Sequence, residues 1–199
     1  IQEPTNLQVR RLNAIVRKLQ KNPQKLIYKG MRCLQEVDVH TDSGYRRIEK
    51  LEDEEGYGMR GLNLLRIGRS RKDHKRVVHL LDSLARSHRL VIRSSYGAEL
   101  MAASHGIDDS HPSLMAIIEL TRVKPITAVE MKQFRDQGNL PLKVSLTVDA
   151  EGVYKSLTSR DLKIPTEKTL LGHVMWLRES LEKKYLTSVQ WCDTRDMTA

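Results

Sequence analysis

Leu142-Lys143-Val144-Ser145-Leu146-Thr147-Val148-Asp149 alternates apolar and polar side chains and then stops on a carboxylate. A period of two is the signature of a β-strand. The run from Asp149 to about Leu157 that follows reads as a short helix. This strand-to-helix junction places Asp149 just outside a strand end, where functional groups of open α/β sheets gather. Upstream, Glu36-Val37-Asp38-Val39-His40-Thr41-Asp42 alternates in the same way and also finishes on an acid. Between them, Ser94 or Ser95 can cap a helix that carries Glu99, Leu100 and Met101. Three acids therefore sit at the ends of predicted elements: Asp42, Glu99 and Asp149.

The other elements follow from the same rules. Asn6 to Gln20 has helical spacing, with Thr5 as a cap and Asn22-Pro23 as a stop. Lys25 to Lys29 reads as a short strand. Residues 46–56 form a charged connection. Met59 to Ile67 and Val77 to Leu84 are apolar strands joined by a basic turn, Arg69 to Lys75. Leu90 to Ile92 reads as a short strand, and His111-Pro112 as the opening of a new helix, Ser113 to Thr121. Ala128 to Phe134 is helical, ahead of a turn at Gly138 to Pro141. Pro165-Thr166 opens a long helix to Lys184, and Ser188 to Trp191 is a last strand. Early strands in a meander, followed by strands separated by helices, describe an α/β mixed sheet with helices packed on its faces.

Charge narrows the function. Lys and Arg total 34 against 25 Asp and Glu, a net charge of +9. Such a surplus favours a polyanionic partner, most often nucleic acid. Aromatic residues are only 5%, which argues against a binder built on base-stacking platforms. Cys33 and Cys192 form no metal-ligand pair and suit a reducing compartment. No apolar run has the length of a membrane span. The start, which lacks an initiator Met, reads as a piece excised from a longer protein. Carboxylates gathered at strand ends repel one another unless cations neutralise them, and hard oxygen ligands suit Mg²⁺ or Mn²⁺. Taken singly, each acid has an ordinary role open to it: Asp42 and Asp149 as turn or cap residues, Glu99 as a first-turn helix charge.

The layout of Asp42, Glu99 and Asp149 on strand, helix and strand matches the carboxylates of the ribonuclease H fold. More narrowly, the chain resembles the ribonuclease H region of copia-type retrotransposon Pol polyproteins. Thr41-Asp42 resembles that family's opening Ser/Thr-Asp, and Arg93 to Glu99 its Ser-Ser-Thr-Glu-Ala-Glu block. Val144 to Asp149 resembles the strand ending in the third acid. Lys168 to Arg178-Glu179 keeps the spacing of the late helix, and Trp191 to Ala199 resembles the closing run. Pro4-Thr5 and the helix from Val9 to Lys25 resemble the segment that joins the polymerase to this domain.

The resemblance implies an α/β ribonuclease H-like mixed sheet with helices on both faces. It implies residues 1–30 as a connection from an upstream polymerase and 31–199 as a ribonuclease H-like domain truncated at its C-terminal end. The implied activity is metal-dependent hydrolysis of RNA in RNA–DNA hybrids, inside the cell, in a cytoplasmic virus-like particle or the nucleus. Asp42, Glu99 and Asp149 would hold Mg²⁺ or Mn²⁺. Arg46, Arg47, Arg69, Arg71, Lys72, Lys75 and Arg93 would contact the nucleic acid. The partners would be the hybrid and the remainder of the Pol polyprotein, with no membrane. Two departures stand out. The family's fourth acid would be the residue after Ala199, since Asp193 and Asp196 match other positions. Where the family has Lys-His-Ile-Asp, this chain has Lys168-Thr169-Leu170-Leu171. These leave an alternative: a catalytically inactive nucleic-acid-binding module from a degenerate or domesticated element.

Overall fold

In the computed structural model, residues 6–21, 28–31, 36–44, 58–88, 92–162 and 164–197 are described. The elements run α1 (Asn6–Lys21), β1 (Glu36–Gly44), β2 (Met59–Arg69), β3 (Arg76–Ser87), α2 (Ser95–Arg122), α3 (Ala128–Gln137), β4 (Lys143–Val148), α4 (Glu151–Thr158), α5 (Leu171–Glu182) and β5 (Ser188–Trp191). The sheet order is β3-β2-β1-β4-β5. The first three strands form the expected antiparallel meander. β4 then lies parallel to β1, and β5 parallel to β4. This is the α/β ribonuclease H-like arrangement. Among the described residues, no helix is long and apolar enough to cross a membrane.

Period-two patterning sorts the strand side chains. Val37, Val39, Leu62, Leu64, Val144, Leu146 and Val148 enter one core with Leu100, Ala103 and Ile107 of α2. The alternate residues of the central strands are buried and polar: Asp38, Ser145 and Thr147. β4 is thus covered on both faces, as parallel strands usually are. Between Leu64 and Leu65 the pairing skips a residue of β3, so that Leu81 is left over as a bulge.

Three expectations need correction. His111-Pro112 does not open a new helix, because α2 runs unbroken for 28 residues with Pro112 inside it. Proline costs a helix interior about 3 kcal/mol. Leu114, Ile117 and Ile118 continue the buried stripe of Leu100, Ala103 and Ile107 at spacings of three and four. Burying those three at ~1.5–3 kcal/mol each outweighs the proline. The late helix does not start at Thr166. Glu167 is extended, and a 3₁₀ turn over Lys168–Leu170 leads into α5; the tight turn swings Leu170 into the core beside Gly97. Tyr28 and Lys29 are not strand, and nor is Ile92. The other residues of those two short strands, Lys25–Ile27 and Leu90–Val91, lie outside the described residues, as do Thr5, the 46–56 connection and Cys33.

Helix ends follow local chemistry. Ser94 accepts the Gly97 amide to begin α2. Thr127 and Glu130 form a reciprocal capping box on α3. Gly138 ends α3 at φ 62°, where a Cβ would lie 2.1 Å from the Lys183 carbonyl oxygen. The end of α2 breaks the rule. Val123 takes the left-handed cap position at φ 54° while 92% exposed. A β-branched residue there carries strain of about 1–2 kcal/mol and packs against nothing that offsets it. Val123→Gly should therefore stabilise the fold by roughly 1 kcal/mol in urea unfolding; an unchanged or lower midpoint would mean that this position stores no strain.

Candidate functional site

Parallel pairing sets Thr41 of β1 beside Val148 of β4. The next residues, Asp42 and Asp149, therefore leave the same end of adjacent strands. Glu99 comes to them from α2, which lies close on β1: a Cβ on Gly106 would sit 2.4 Å from Thr41 Cγ2. One oxygen from each of Asp42, Glu99 and Asp149 lies within 4.8 Å of the others. The fold thus brings together the three acids that stand out in the sequence.

Hydrogen bonds position Asp42 and Asp149. Asp42 Oδ1 accepts the Ser43 amide at 2.7 Å. Thr194 Oγ1 donates to Asp149 Oδ2 at 2.9 Å, and Trp191 Nε1 donates to the Asp149 carbonyl at 2.8 Å. Sequence reasoning missed both partners, which return to the site through β5 and the 3₁₀ turn Thr194–Asp196. Asp193 caps that turn through the Arg195 amide, and neither it nor Asp196 joins the cluster. Glu99 Oε2 is buried and has no hydrogen-bond partner among the described residues.

Crowding changes the protonation. Burial, then Asp149, then Asp42, push the Glu99 carboxyl up to about 8. Burial, followed by Asp149, also raises Asp42. Three converging hard oxygens, on acids that include a buried Glu99 oxygen with no donor among the described residues, are the donor set a divalent cation of the Mg²⁺ or Mn²⁺ class takes. The residues present fit such an ion.

A second polar group lies back along the same strands, at positions that share the strand parity of Asp42 and Asp149. Asp38 accepts Ser145 Oγ at 2.9 Å, Thr147 Oγ1 at 3.0 Å and His40 Nε2 at 3.0 Å. Burial opposes its ionisation, yet His40, Ser145 and Thr147 together hold its carboxyl below the usual range. His40 is thus turned to Asp38. His173 bonds Ser104 at 2.9 Å and packs edge-on to His105, apart from the acids.

The basic residues divide. Arg93 lies just ahead of α2 and lines a cavity of about 480 Å³ with Tyr96, Pro165, Thr166, Glu167 and Leu170. Arg69, Arg71, Lys72 and Lys75 occupy the β2–β3 turn. Asp42 is opposite Gly61, whereas Arg69 lies eight residues further along β2. At about 3.3 Å per residue the turn is roughly 26 Å from the acids. The structure does not bring those four side chains to the cluster. Arg46 and Arg47 lie outside the described residues.

The proton on Glu99 sets a pH dependence for the cation-free protein. Its folded value, about 8, lies above the ordinary 4.5. The folded state keeps a proton that the unfolded chain has released, so this group lowers stability as pH rises from about 4.5 to 8. His88, held near 4 chiefly by burial, acts in the opposite sense below its ordinary 6.5. The clean window is therefore 6.5 to 8. With chelator present, stability should fall there by at most about 1.4 kcal/mol per pH unit, and Glu99→Gln should flatten the slope in urea titrations. A wild-type slope indistinguishable from that of Glu99→Gln would contradict the shifted carboxyl.

No protein-family model matches the chain. No curated protein matches it in sequence. Among solved structures, it is similar to the N-terminal RNase H domain of a Mycobacterium tuberculosis protein, at 14% identity and TM-score 0.44, covering 82% of this chain and 86% of that one. RNase H1 from Halobacterium salinarum gives 14% identity and 0.45, with 80% and 87% covered. LC11-RNase H1, solved in complex with an RNA/DNA hybrid, gives 13% and 0.46, with 81% and 88% covered. Likenesses at this level carry no activity over to this chain, whose functional case rests on its own residues.

Proposed function

We propose that the chain is a ribonuclease H-type phosphodiesterase that hydrolyses the RNA strand of RNA–DNA hybrids. The convergence of Asp42, Glu99 and Asp149 on one point carries this reading. The choice of hybrid as substrate, and of a copia-type retrotransposon Pol polyprotein as parent with residues 1–30 as its polymerase connection, rests on the sequence resemblance.

Asp42, Glu99 and Asp149 would hold Mg²⁺ or Mn²⁺. Such an ion, when bound, polarises the scissile phosphate and lowers the pKa of an attacking water. The protein's own contribution is placement and charge. The Ser43 amide and Thr194 hydroxyl fix the directions of Asp42 and Asp149. Glu99 must give up its proton to act as a ligand, so loading with cation releases a proton at neutral pH. The net positive charge draws the polyanion to the protein, and phosphate contacts position it without reading base sequence.

A binding module without catalysis is the second reading, favoured by there being only three acids in the cluster among the described residues. Single-turnover cleavage of a labelled hybrid in saturating Mg²⁺ separates the two. The enzyme reading expects cleavage that falls at least ~10²–10³-fold in Asp149→Asn, the scale of losing one charge-stabilising group, while hybrid binding in Ca²⁺ persists. Binding without any cleavage by the unaltered chain favours the module. Cleavage that survives Asp149→Asn at full rate removes these acids from the chemistry.

A further inference from the structure

The turn between β2 and β3 is joined by a segment that sequence spacing did not associate with it. Met31 bridges to Ser70, and the Arg71 amide donates to the Gly30 carbonyl at 3.0 Å. The Lys29 amide donates to His79 Nε2 at 3.0 Å, and the Tyr28 hydroxyl to the Leu80 carbonyl at 2.7 Å. These bonds seat Lys29 beside the turn. A cavity of about 630 Å³ results, lined by the cations Lys29, Arg71, Lys72, Lys75 and Arg76. Among the described residues Asp73 is the single acid in its wall, and its carboxylate is engaged with Ser70 and the Lys75 amide. Arg71 Nε is fixed on the Met31 carbonyl at 3.0 Å, which aims the guanidinium.

The chemistry selects an extended polyanion over a small one. A cradle for a single phosphate needs converging backbone amides. Here the amides of Ser70, Arg71, Lys72, Asp73 and His74 are already used within the turn or on Gly30. What remains is a rim of long cationic side chains, the form that tracks a phosphodiester backbone. With the acids roughly 26 Å away along β2, one phosphate cannot touch both places.

We infer that the β2–β3 turn, together with Lys29, is a second nucleic-acid site, remote from the acids, that grips the phosphate backbone of a flank of the bound duplex. That the duplex also occupies the acids rests on the function proposed above; the site itself does not.

The test is fluorescence-anisotropy titration of the full chain with a labelled 24-base-pair hybrid in Ca²⁺, over a salt series. The variant is Lys72→Glu/Lys75→Glu, compared in the wild-type and Asp149→Asn backgrounds. Each phosphate that is no longer neutralised lowers the slope of log affinity against log salt by about 0.7–0.9. The double variant should therefore reduce that slope by about 1 to 2. The reduction should be equal in both backgrounds, as for sites too far apart to couple. An unchanged affinity and slope in a variant that melts like wild type overturns the second site. A reduction that appears in one background only overturns its separateness. Poly-glutamate that displaces the duplex as well as unlabelled hybrid does overturns the nucleic-acid assignment. If the unaltered chain proves unable to cleave and the turn variant still binds more weakly, the catalytic proposal falls and this one stands.

Discussion

The parallel pairing of β1 with β4 is the constraint on which the site depends. It brings together strands more than a hundred residues apart, and no hairpin could make the contact. Slipping the register by one residue would exchange the two faces of β4. Val144, Leu146 and Val148 would then leave the core, and Ser145 and Thr147 would enter it. The Asp38 carboxylate opposes that slip, since it accepts from Ser145 and Thr147 across the pair. With the register set, Asp42 and Asp149 emerge side by side. Gly106 then lets α2 lie near enough to deliver Glu99.

This arrangement is held against its own electrostatics. Two charged carboxylate oxygens within 4.8 Å of each other repel by at least roughly 3 kcal/mol at an effective dielectric of 20. The protein relieves part of that by keeping Glu99 protonated, and the hydrogen bonds to Asp42 and Asp149 spread the remaining charge. The packing beneath, from Val37 to Leu177, supplies the rigidity that keeps the acids together. Local repulsion tolerated by a well-packed scaffold marks a ligand site more often than a structural one.

What could be read in the sequence was what local periodicity determines. β1 and β4 each show clean alternation ending in an acid, and the acid cluster followed from those ends plus a capped helix. What could not be read came from tertiary packing. The stripe of buried residues through Leu114 and Ile118 carried α2 past Pro112, where a local rule predicts a break. Asp38 looked like any alternating polar residue, because its partners lie on another strand. Trp191 and Thr194 were seen only as parts of a closing motif, and their hold on Asp149 needs the chain to fold back. The basic turn was visible as charge. Its distance from the acids was not, since that depends on which end of β2 faces which end of β1.

The bulge at Leu81 bears on solubility as well as shape. Among the described residues β3 is an edge, twelve residues long, with Val78 and Leu81 exposed at 49% and 37%. A long flat edge of that kind invites another chain to add a strand and begin uncontrolled assembly. The extra residue twists the edge midway and breaks its run of evenly spaced amides and carbonyls. The Tyr28 hydroxyl occupies the carbonyl next to it, and Arg76 and Arg86 set like charges near the two ends of the strand. A second copy approaching edge to edge would meet a bent, partly capped and positively charged border, so that the longest open strand of the sheet is also the one least able to template its own kind.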